Sequence, residues 1–438
     1  MPTLSAFFTN TSVTDRGIPI SQFTSYQYNT GGSQWYSRAI SSTSSPIVID
    51  NIPNEPTNYK LRPVTNTNQT GSEFSFNYSP VLRFFGVGSN AGNLDLPNSS
   101  GIYTSFTQTT GSWEEIIPGT QVAWASANGK WYRAGLASYG LDSSANLNTM
   151  TELATGQFIK IKCSESNTLA ISSNNRLFAC GAGTTEGQSL GLQRRTTDGN
   201  VTFFTEVKLA SARDGAGTIY NDFRVEDVSC GAFHNFALSA GTKTWFSCGD
   251  NANGQLGLGV AGNLTPSRYA NIFTQLTGRW DKIVAGRGQT FMLSADTNKW
   301  YICGSSLYGE LGMGTGQVAF PTPLTGTWDK IVGCDSFSYA LSGRKLFSCG
   351  LNSFGNLGFG DLVNRSTFTQ LTGDWDDVVC FQRSSTVWAR SGFDWYVVGE
   401  GTNYVNSFGT TLTTFTKVTG YWNKIYPCRF SSIASMYV

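Results

Sequence analysis

The sequence repeats one stretch almost unchanged, as Leu276-Thr-Gly-Arg-Trp280-Asp-Lys-Ile283, Leu324-Thr-Gly-Thr-Trp328-Asp-Lys-Ile331 and Leu371-Thr-Gly-Asp-Trp375-Asp-Asp-Val378. Looser copies surround Trp113 and Trp422. From the first copy to Trp422, successive tryptophans are 48, 47 and 47 residues apart. A fixed period of this length is the signature of a repeat architecture.

A second column recurs in step with the first and ends on a glycine, as in Trp245-Phe-Ser-Cys-Gly249 and Trp300-Tyr-Ile-Cys-Gly304. The column has seven such anchor glycines, at positions 88, 135, 181, 249, 304, 350 and 399. Each period holds short apolar segments of the length of strands, separated by turn residues, and no helical periodicity. Four strands per period fit one blade of a propeller, so the chain is predicted to be all-β, with a seven-bladed β-propeller over residues 80–438.

The two ends of the repeat region predict a closed ring. Cys428-Arg-Phe-Ser-Ser-Ile-Ala434 aligns with Cys334-Asp-Ser-Phe-Ser-Tyr-Ala340, which opens another blade, and the sequence stops four residues later. The first copy starts near Tyr78, directly at its second strand. We therefore expect the strand at 432–437 to pair beside 81–87, which removes two open sheet edges. The charged pairs Asp281-Lys282 and Asp329-Lys330 are expected on the last strand of each blade, as edge protection.

One interval is longer than the others. The anchor glycines at 181 and 249 are 68 residues apart, against about 47 elsewhere. The excess lies within residues 194–224 and is expected to form a loop of blade three that contains Arg194, Arg195, Arg213 and Arg224. Long insertions on a rigid scaffold often make contacts. A loop without function is the equal alternative.

Residues 1–79 lack the repeat and are rich in Ser, Thr, Asn and Gln. Strands are expected at 46–50, 59–62 and 73–77, and we interpret the segment as a small N-terminal β arm. Eleven of the twelve tryptophans fall into blade columns, which leaves Trp35 as a candidate partner contact together with Tyr36. Aromatic side chains on a segment with little core of its own need a neighbour to cover them, so the arm is expected to dock into an assembly or onto a second copy.

Composition excludes several classes of function. The formal net charge is +1 and charged residues make up 13% of the chain, so the basic surface that nucleic acids and anionic membranes require is absent. No apolar run reaches the length of a membrane span, and the N-terminus has no secretory signal pattern. The chain is therefore expected to fold in a cytoplasm.

Candidate catalytic groups are few. His234 is the only histidine. Its repeat column holds Asn167, Gln289 and Phe337 in other blades, which indicates a structural position. The glycine spacing at 257–262 matches that of the dinucleotide-binding motif, but no helix is expected to follow it. The nine cysteines lack metal-ligand spacing and are expected to be reduced thiols that fill space. We predict no enzyme activity, no metal and no cofactor.

The segment Cys248-Gly-Asp-Asn-Ala-Asn-Gly254-Gln-Leu-Gly-Leu-Gly259 resembles the repeat of the regulator of chromosome condensation propeller family. Copies begin at Cys303 and Cys349, and the resemblance covers roughly residues 80–438. It implies a seven-bladed fold. Members that act as nucleotide exchange factors on chromatin are cationic, whereas this chain has no basic arm, so no exchange-factor residues are carried over.

The low charge of the chain and its Ser-, Thr-, Asn- and Gly-rich N-terminal arm also resemble those of structural proteins of tailed-phage virions, such as fibre, baseplate or capsid decoration components. The predicted function is therefore a non-enzymatic virion protein that is folded in the host cytoplasm. Residues 1–79 would bind other virion proteins or self-copies, and the propeller would be displayed for protein contacts or a host surface receptor. The alternative is a cytoplasmic propeller that inhibits or regulates a partner protein.

Overall fold

The computed structural model describes residues 82–89 and 101–437, apart from gaps at 155–157, 166, 183–189, 193–198, 208–211, 214–223, 260–268, 403–404 and 421. Before residue 82 it describes the backbone of the strands and Thr67. The chain forms two compact units. One comprises 1–83, 420–423 and 435–438, and the other comprises 84–419 and 424–434.

The propeller is built from seven antiparallel sheets, which are the predicted blades; each has four strands, and the sheet of blade 4 has a short fifth strand that pairs in parallel. Blade 2 contains Glu115–Pro118, Val122–Ala127, Lys130–Gly135 and Leu147–Glu152; blade 3 contains Phe158–Cys163, Asn167–Ser172, Leu177–Gly181 and Val201–Glu206; blade 4 contains Val225–Cys230, His234–Ser239, Trp245–Asp250 and Tyr269–Gln275. Blade 5 contains Trp280–Ala285, Gln289–Ser294, Trp300–Ser306 and Gly316–Pro323; blade 6 contains Lys330–Gly333, Phe337–Ser342, Lys345–Gly350 and Arg365–Gln370; blade 7 contains Asp377–Cys380, Thr386–Ser391, Asp394–Gly399 and Leu412–Lys417. A short 3-10 helix, Ala137–Tyr139, follows the third strand of blade 2.

Blade 1 combines strands from both ends of the repeat region. Its strand order is Lys424–Pro427, Ser431–Tyr437, Leu82–Ser89 and Ile102–Gln108. The backbone amide of Ser89 donates to the carbonyl of Phe430 at 2.9 Å. The predicted closure is confirmed, and two C-terminal strands complete the blade.

The position of the Trp-Asp-Lys strand differs from the prediction. In the structure this strand is the first of the following blade: Trp280–Ala285, for example, pairs with Gln289–Ser294. The seven first strands contact one another in cyclic order, so they enclose a central channel. The charged pairs therefore belong to the innermost strands and not to the outer edges. Their predicted placement on the last strand of each blade was wrong, although the first strand is also an edge strand of its sheet.

Two glycine-based devices fix each blade. The seven anchor glycines end the third strands with φ between +100° and +131°, a region that favours glycine. At Gly350 a Cβ would lie 2.5 Å from the Cα of Phe337 on the second strand. The Leu-Thr-Gly-x-Trp turn closes when the indole Nε1 of Trp328 donates to the carbonyl of Thr325 at 3.0 Å, and Trp280 and Trp375 do the same with Thr277 and Thr372.

The core lies between neighbouring blades. The second strands are almost entirely buried because a blade packs on each of their faces. Ile171 of blade 3, for example, belongs to one cluster with Val228, Phe246 and Phe273 of blade 4. The tryptophans of the third strands also link blades: the Nε1 of Trp245 donates to the carbonyl of Trp280, the first residue of the next blade, at 2.9 Å.

The long insertion of blade three is not a single loop. Residues Val201–Glu206 form the fourth strand of blade 3, and Ala212–Arg213 pairs parallel to Tyr269–Gln275, the fourth strand of blade 4. The prediction of one continuous loop within 194–224 is therefore wrong. The extra residues are divided by these strands.

The smaller unit contains the N-terminal strands. One sheet has the order Tyr36–Ala39, Phe23–Asn29, Thr57–Thr65 and Phe74–Tyr78, and two-stranded pairs join Leu4–Ala6 with Ile47–Ile49 and Thr14–Asp15 with Ile18–Pro19. The segment is β-structured, as expected. Among the described residues of the whole chain, no helix has the length and apolar character that a bilayer span requires.

Candidate functional site

Two sets of loops lie on one face of the ring, which we call the loop face. Strands in a blade alternate in direction, so the first and third strands of every blade end on the same side. The loops between first and second strands surround the mouth of the channel. The loops between third and fourth strands lie farther from the axis.

The outer loops carry the glycine-rich motif and bind the neighbouring blade. In blade 4 the amide of Leu256 donates to Oδ1 of Asn251 at 3.0 Å, which closes the loop. The amide of Gly259 then donates to the carbonyl of Ala319 in blade 5 at 3.2 Å. The equivalent contacts of blades 5 and 6 are Gly314 to Ser366 and Gly360 to Thr413, both 2.8 Å. The glycine pattern at 257–259 is thus a blade loop, as predicted; 260–262 lie outside the described residues.

The same outer loops expose large apolar side chains in three consecutive blades. We call these side chains the apolar loop set; they are Leu307 and Tyr308 of blade 5, Leu362, Val363 and Phe354 of blade 6, and Phe408 of blade 7. Leu307 is 68% exposed and Val363 is 62% exposed. A run of exposed apolar residues on one face is typical of a protein-binding surface.

The channel mouth on the loop face is crossed by charged side chains. Oε1 of Glu165 in blade 3 accepts from Arg383 of blade 7 and, at 3.2 Å, from Nη1 of Arg429 in blade 1. The Glu165 side chain is buried, and the guanidinium of Arg383 also lies 5.7 Å from the ring centroid of Phe233. The cluster connects blade 3 with the neighbouring blades 7 and 1 across the mouth of the channel.

His234 occupies the structural position that the repeat predicts. It pairs with the anchor Gly249, and Asn167, Gln289 and Phe337 pair with the anchor glycines of their own blades. The ring is fully buried, with Nε2 2.9 Å from Oγ1 of Thr290, and Nδ1 has no hydrogen-bond partner among the described residues. Burial lowers the pKa of His234 to about 3, so the imidazole is neutral at pH 7.

One cysteine prediction is wrong. Cys334 and Cys380 form a disulfide between blades 6 and 7, whereas the other seven cysteines are thiols. Cys380 ends the first strand of blade 7 and Cys334 directly follows that of blade 6, so equivalent ends of neighbouring innermost strands meet. Cys163 and Cys180 lie on the first and third strands of blade 3, and each is paired with Thr168 of the strand between them.

These thiols are unreactive by environment. Burial raises the pKa of Cys163 and of Cys303 to about 12 and that of Cys428 to about 11. A thiol must ionise to act as a nucleophile or a metal ligand. Within the described part of the chain, no group of three His, Cys, Asp or Glu residues is arranged to hold a metal ion.

The predicted contact residues lie in different places. Trp35, Arg194 and Arg195 fall outside the described residues, and only the backbone is described for Tyr36 and Arg213, both on strands. Arg224 is exposed, and its Nη1 donates to the carbonyl of Asn174 at 3.2 Å. The apolar loop set was not found from the sequence, because its members stand at the variable positions of the glycine motif and carry no signal of exposure.

Curated relatives share the repeat over part of their length. An RCC1 repeat-containing protein of Schizosaccharomyces pombe is 29% identical over 198 residues, which is 42% of this chain and 56% of the relative. The human probable E3 ubiquitin-protein ligase HERC6 is 31% identical over 161 residues, 36% of this chain and 13% of the relative. The chain thus spans about half of the first relative and a small part of the second. No family model matches the sequence.

Solved propellers share the fold across most of the chain. Prp20p of Saccharomyces cerevisiae superposes with a TM-score of 0.64 at 16% identity, covering 82% of this chain and 92% of that protein. Human WBSCR16 gives a TM-score of 0.62 at 16% identity, with 82% and 99% covered. With the closed ring of seven sheets, these similarities show that the chain has a seven-bladed β-propeller fold, and its repeats are similar to those of RCC1 repeat proteins.

Proposed function

We propose that the chain is a non-enzymatic protein-binding scaffold whose binding surface is the loop face of blades 5–7. The observation that carries this proposal is the apolar loop set. Its six side chains lie on equivalent loops of three consecutive blades, and they stay exposed although the blades beneath them are well packed. Exposed aliphatic and aromatic groups on rigid loops lose little conformational entropy on binding, which favours protein association.

The loops are rigid enough for this role. The loop of blade 6 is closed by Asn352, whose Oδ1 accepts from the amide of Leu357 at 2.8 Å and whose Nδ2 donates to the carbonyl of Asp361 at 2.9 Å. Arg365 binds the Asp361 carboxylate at 2.7 Å and stacks 4.4 Å from the centroid of Phe359. Leu362 and Val363 are therefore presented from a fixed backbone.

The buried state of the reactive groups supports the absence of enzyme activity. The only histidine is neutral and enclosed, and burial raises the pKa of the thiols. His234 and Cys303 are fully buried, so a substrate could not reach them. A binding role needs none of these groups.

Partner binding by similar propellers supports the general class. The crystal structure of Prp20p was described together with its binding to Gsp1p and histones, and a second structure shows Kap60 bound to Prp20p. Those partners belong to that protein. The broader form of our proposal is therefore the alternative given above, a cytoplasmic binding module that inhibits or regulates a partner.

The finer proposal is a virion structural protein in which residues 1–79 dock into the particle or onto a second copy. It rests on the Ser, Thr, Asn and aromatic content of those residues, and the relatives named above are not virion proteins. Mass spectrometry of purified particles tests it. Detection of the full chain but not of a residue 80–438 fragment supports docking through the arm, whereas incorporation of the fragment contradicts it.

The scaffold proposal is tested by removing the apolar loop set. The triple variant Leu307→Ser, Phe354→Ser, Val363→Ser changes side chains that are 68%, 40% and 62% exposed, so little stability is expected to be lost. The matched control is Phe393→Ser, since Phe393 is 58% exposed in a turn on the opposite face.

Affinity capture from the source cells is the measurement. Proteins captured by the wild type and by Phe393→Ser should be lost with the triple variant. Equal capture by all three chains would contradict a binding surface on the loop face.

A further inference from the structure

Seven charged residues occupy equivalent positions on the innermost strands, one in each blade. Every first strand carries a charged residue directly before a buried Ile or Val, and the seven residues in ring order are Lys424, Glu115, Lys160, Asp227, Lys282, Lys330 and Asp377. Only 13% of the chain is charged, so charge at all seven equivalent positions is not a composition effect. We call this set the channel ring.

The charges of the channel ring alternate in sign between neighbouring blades, except at one place. Lys160 binds Asp227 of the next blade at 2.9 Å, and Lys330 binds Asp377 at 2.6 Å. An odd number of charges cannot alternate around a closed ring. The break falls between blades 5 and 6, where Lys282 and Lys330 are neighbours.

Lys282 is the residue left over by this arrangement. Its nearest acid in the ring is Asp227, whose Oδ1 already accepts from Lys160 at 2.9 Å and from the amide of Val228 at 2.8 Å. Lys282 has no ion-pair partner among the described residues. Partial burial, followed by repulsion from Lys330, lowers the pKa of Lys282.

A cavity of about 420 Å³ opens beside this lysine. Its wall includes Lys160, Lys162 and Lys282, with Asp227 and Asp281 as the acids, so the lining has an excess of one positive charge. Two residues further along the first strands, Lys162 is the only charged side chain; the other blades have Ile117, Ser229, Val284, Val332, Val379 and Tyr426 there. The excess charge is therefore concentrated on one side of the channel, across blades 3–5.

We propose that this cavity binds a small multivalent oxyanion of the phosphate class, with Lys282 and Lys162 as its principal ligands. A neutral residue in blade 5 would leave three alternating pairs and would avoid the repulsion between Lys282 and Lys330. An anion in the cavity would compensate the unpaired positive charge and screen this repulsion. A compact oxyanion accepts hydrogen bonds from several ammonium groups at once, which suits lysines on neighbouring strands.

The test is calorimetric titration with inorganic phosphate at constant ionic strength, with chloride as the balancing anion. Four chains are compared: wild type, Lys282→Gln, Lys282→Arg and the control Lys299→Gln. Lys299 belongs to the same blade but lies, exposed, in the turn between its second and third strands. We expect wild type, Lys282→Arg and Lys299→Gln to bind phosphate and Lys282→Gln to bind at least about tenfold more weakly.

A second readout separates binding from folding. Without phosphate, the melting temperature of Lys282→Gln should equal or exceed that of the wild type, because the remaining six charges alternate. Equal phosphate affinity in all four chains, or no phosphate binding by the wild type, would overturn the proposal. Glycerol 3-phosphate forms a second arm: tighter binding than inorganic phosphate assigns the site to a phosphoryl group on a small molecule, and weaker binding assigns it to the free ion.

Discussion

His234 makes the pH dependence of stability directly measurable, because it is the only histidine of the chain. Burial lowers its pKa to about 3, whereas in an unfolded chain the ring takes up a proton near pH 6.5. The unfolded state therefore binds more protons between these values, and stability is lost as the pH falls through that window. Glutamine fits the position, since Gln289 occupies it in blade 5.

Between pH 7 and pH 5, the free energy of unfolding of the wild type should fall by about 2 kcal/mol more than that of His234→Gln. Urea denaturation at the two pH values measures this difference. The other titrating groups are shared by both chains and cancel. Equal losses would show that the imidazole is not held neutral in the fold.

The anchor glycines allow a test of whether their positive φ and close packing require glycine. Gly350 has φ +109°, and a Cβ there would lie 2.5 Å from the Cα of Phe337, so Gly350→Ala is expected to cost at least about 2 kcal/mol. Gly343 also has a positive φ, +58°, but nothing lies within 4 Å of its Cβ position, so Gly343→Ala should cost about 1 kcal/mol or less. Chemical denaturation ranks the two variants, and a reversed ranking would contradict the role of the anchor column.

Neighbouring innermost strands are connected covalently at one point, between Cys334 and Cys380. The intact mass of the protein should rise by two hydrogens on reduction, and Cys380→Ser should show no such change. The bond closes a loop with a sequence separation of 46 residues, so its loss is expected to cost about 2–4 kcal/mol of stability. A wild-type mass that is independent of reductant would contradict the disulfide.

The repeat period predicted the strands but not where a blade begins. In a ring of equal units any strand can be taken as the first, and the sequence around Trp328 contains no mark of the boundary. The Trp-Asp-Lys strand was therefore placed at an outer edge instead of at the channel. That one-strand shift hid both the channel ring and the contact between Cys334 and Cys380, because each depends on which strands of neighbouring blades meet.

The closed ring itself was predictable because closure leaves a trace in the order of the repeats. The first copy lacks strands that the C-terminus supplies, and the structure joins Ser431–Tyr437 to Leu82–Ser89. The proposed binding surface was not predictable in the same way. Leu307 and Phe354 are apolar residues at variable positions of the repeat motif, and only the fold shows that they face solvent.

Removal of the closing strand tests the whole molecule. Deletion of residues 431–438 takes away Ile433 and Ala434, both fully buried, and leaves the edge of Leu82–Ser89 open. The thermal unfolding midpoint of the truncated chain is the deciding measurement. The closed seven-bladed ring predicts aggregation or a midpoint lower by about 10 °C or more. A soluble, monodisperse truncated chain that melts at the temperature of the full chain would contradict the closed ring.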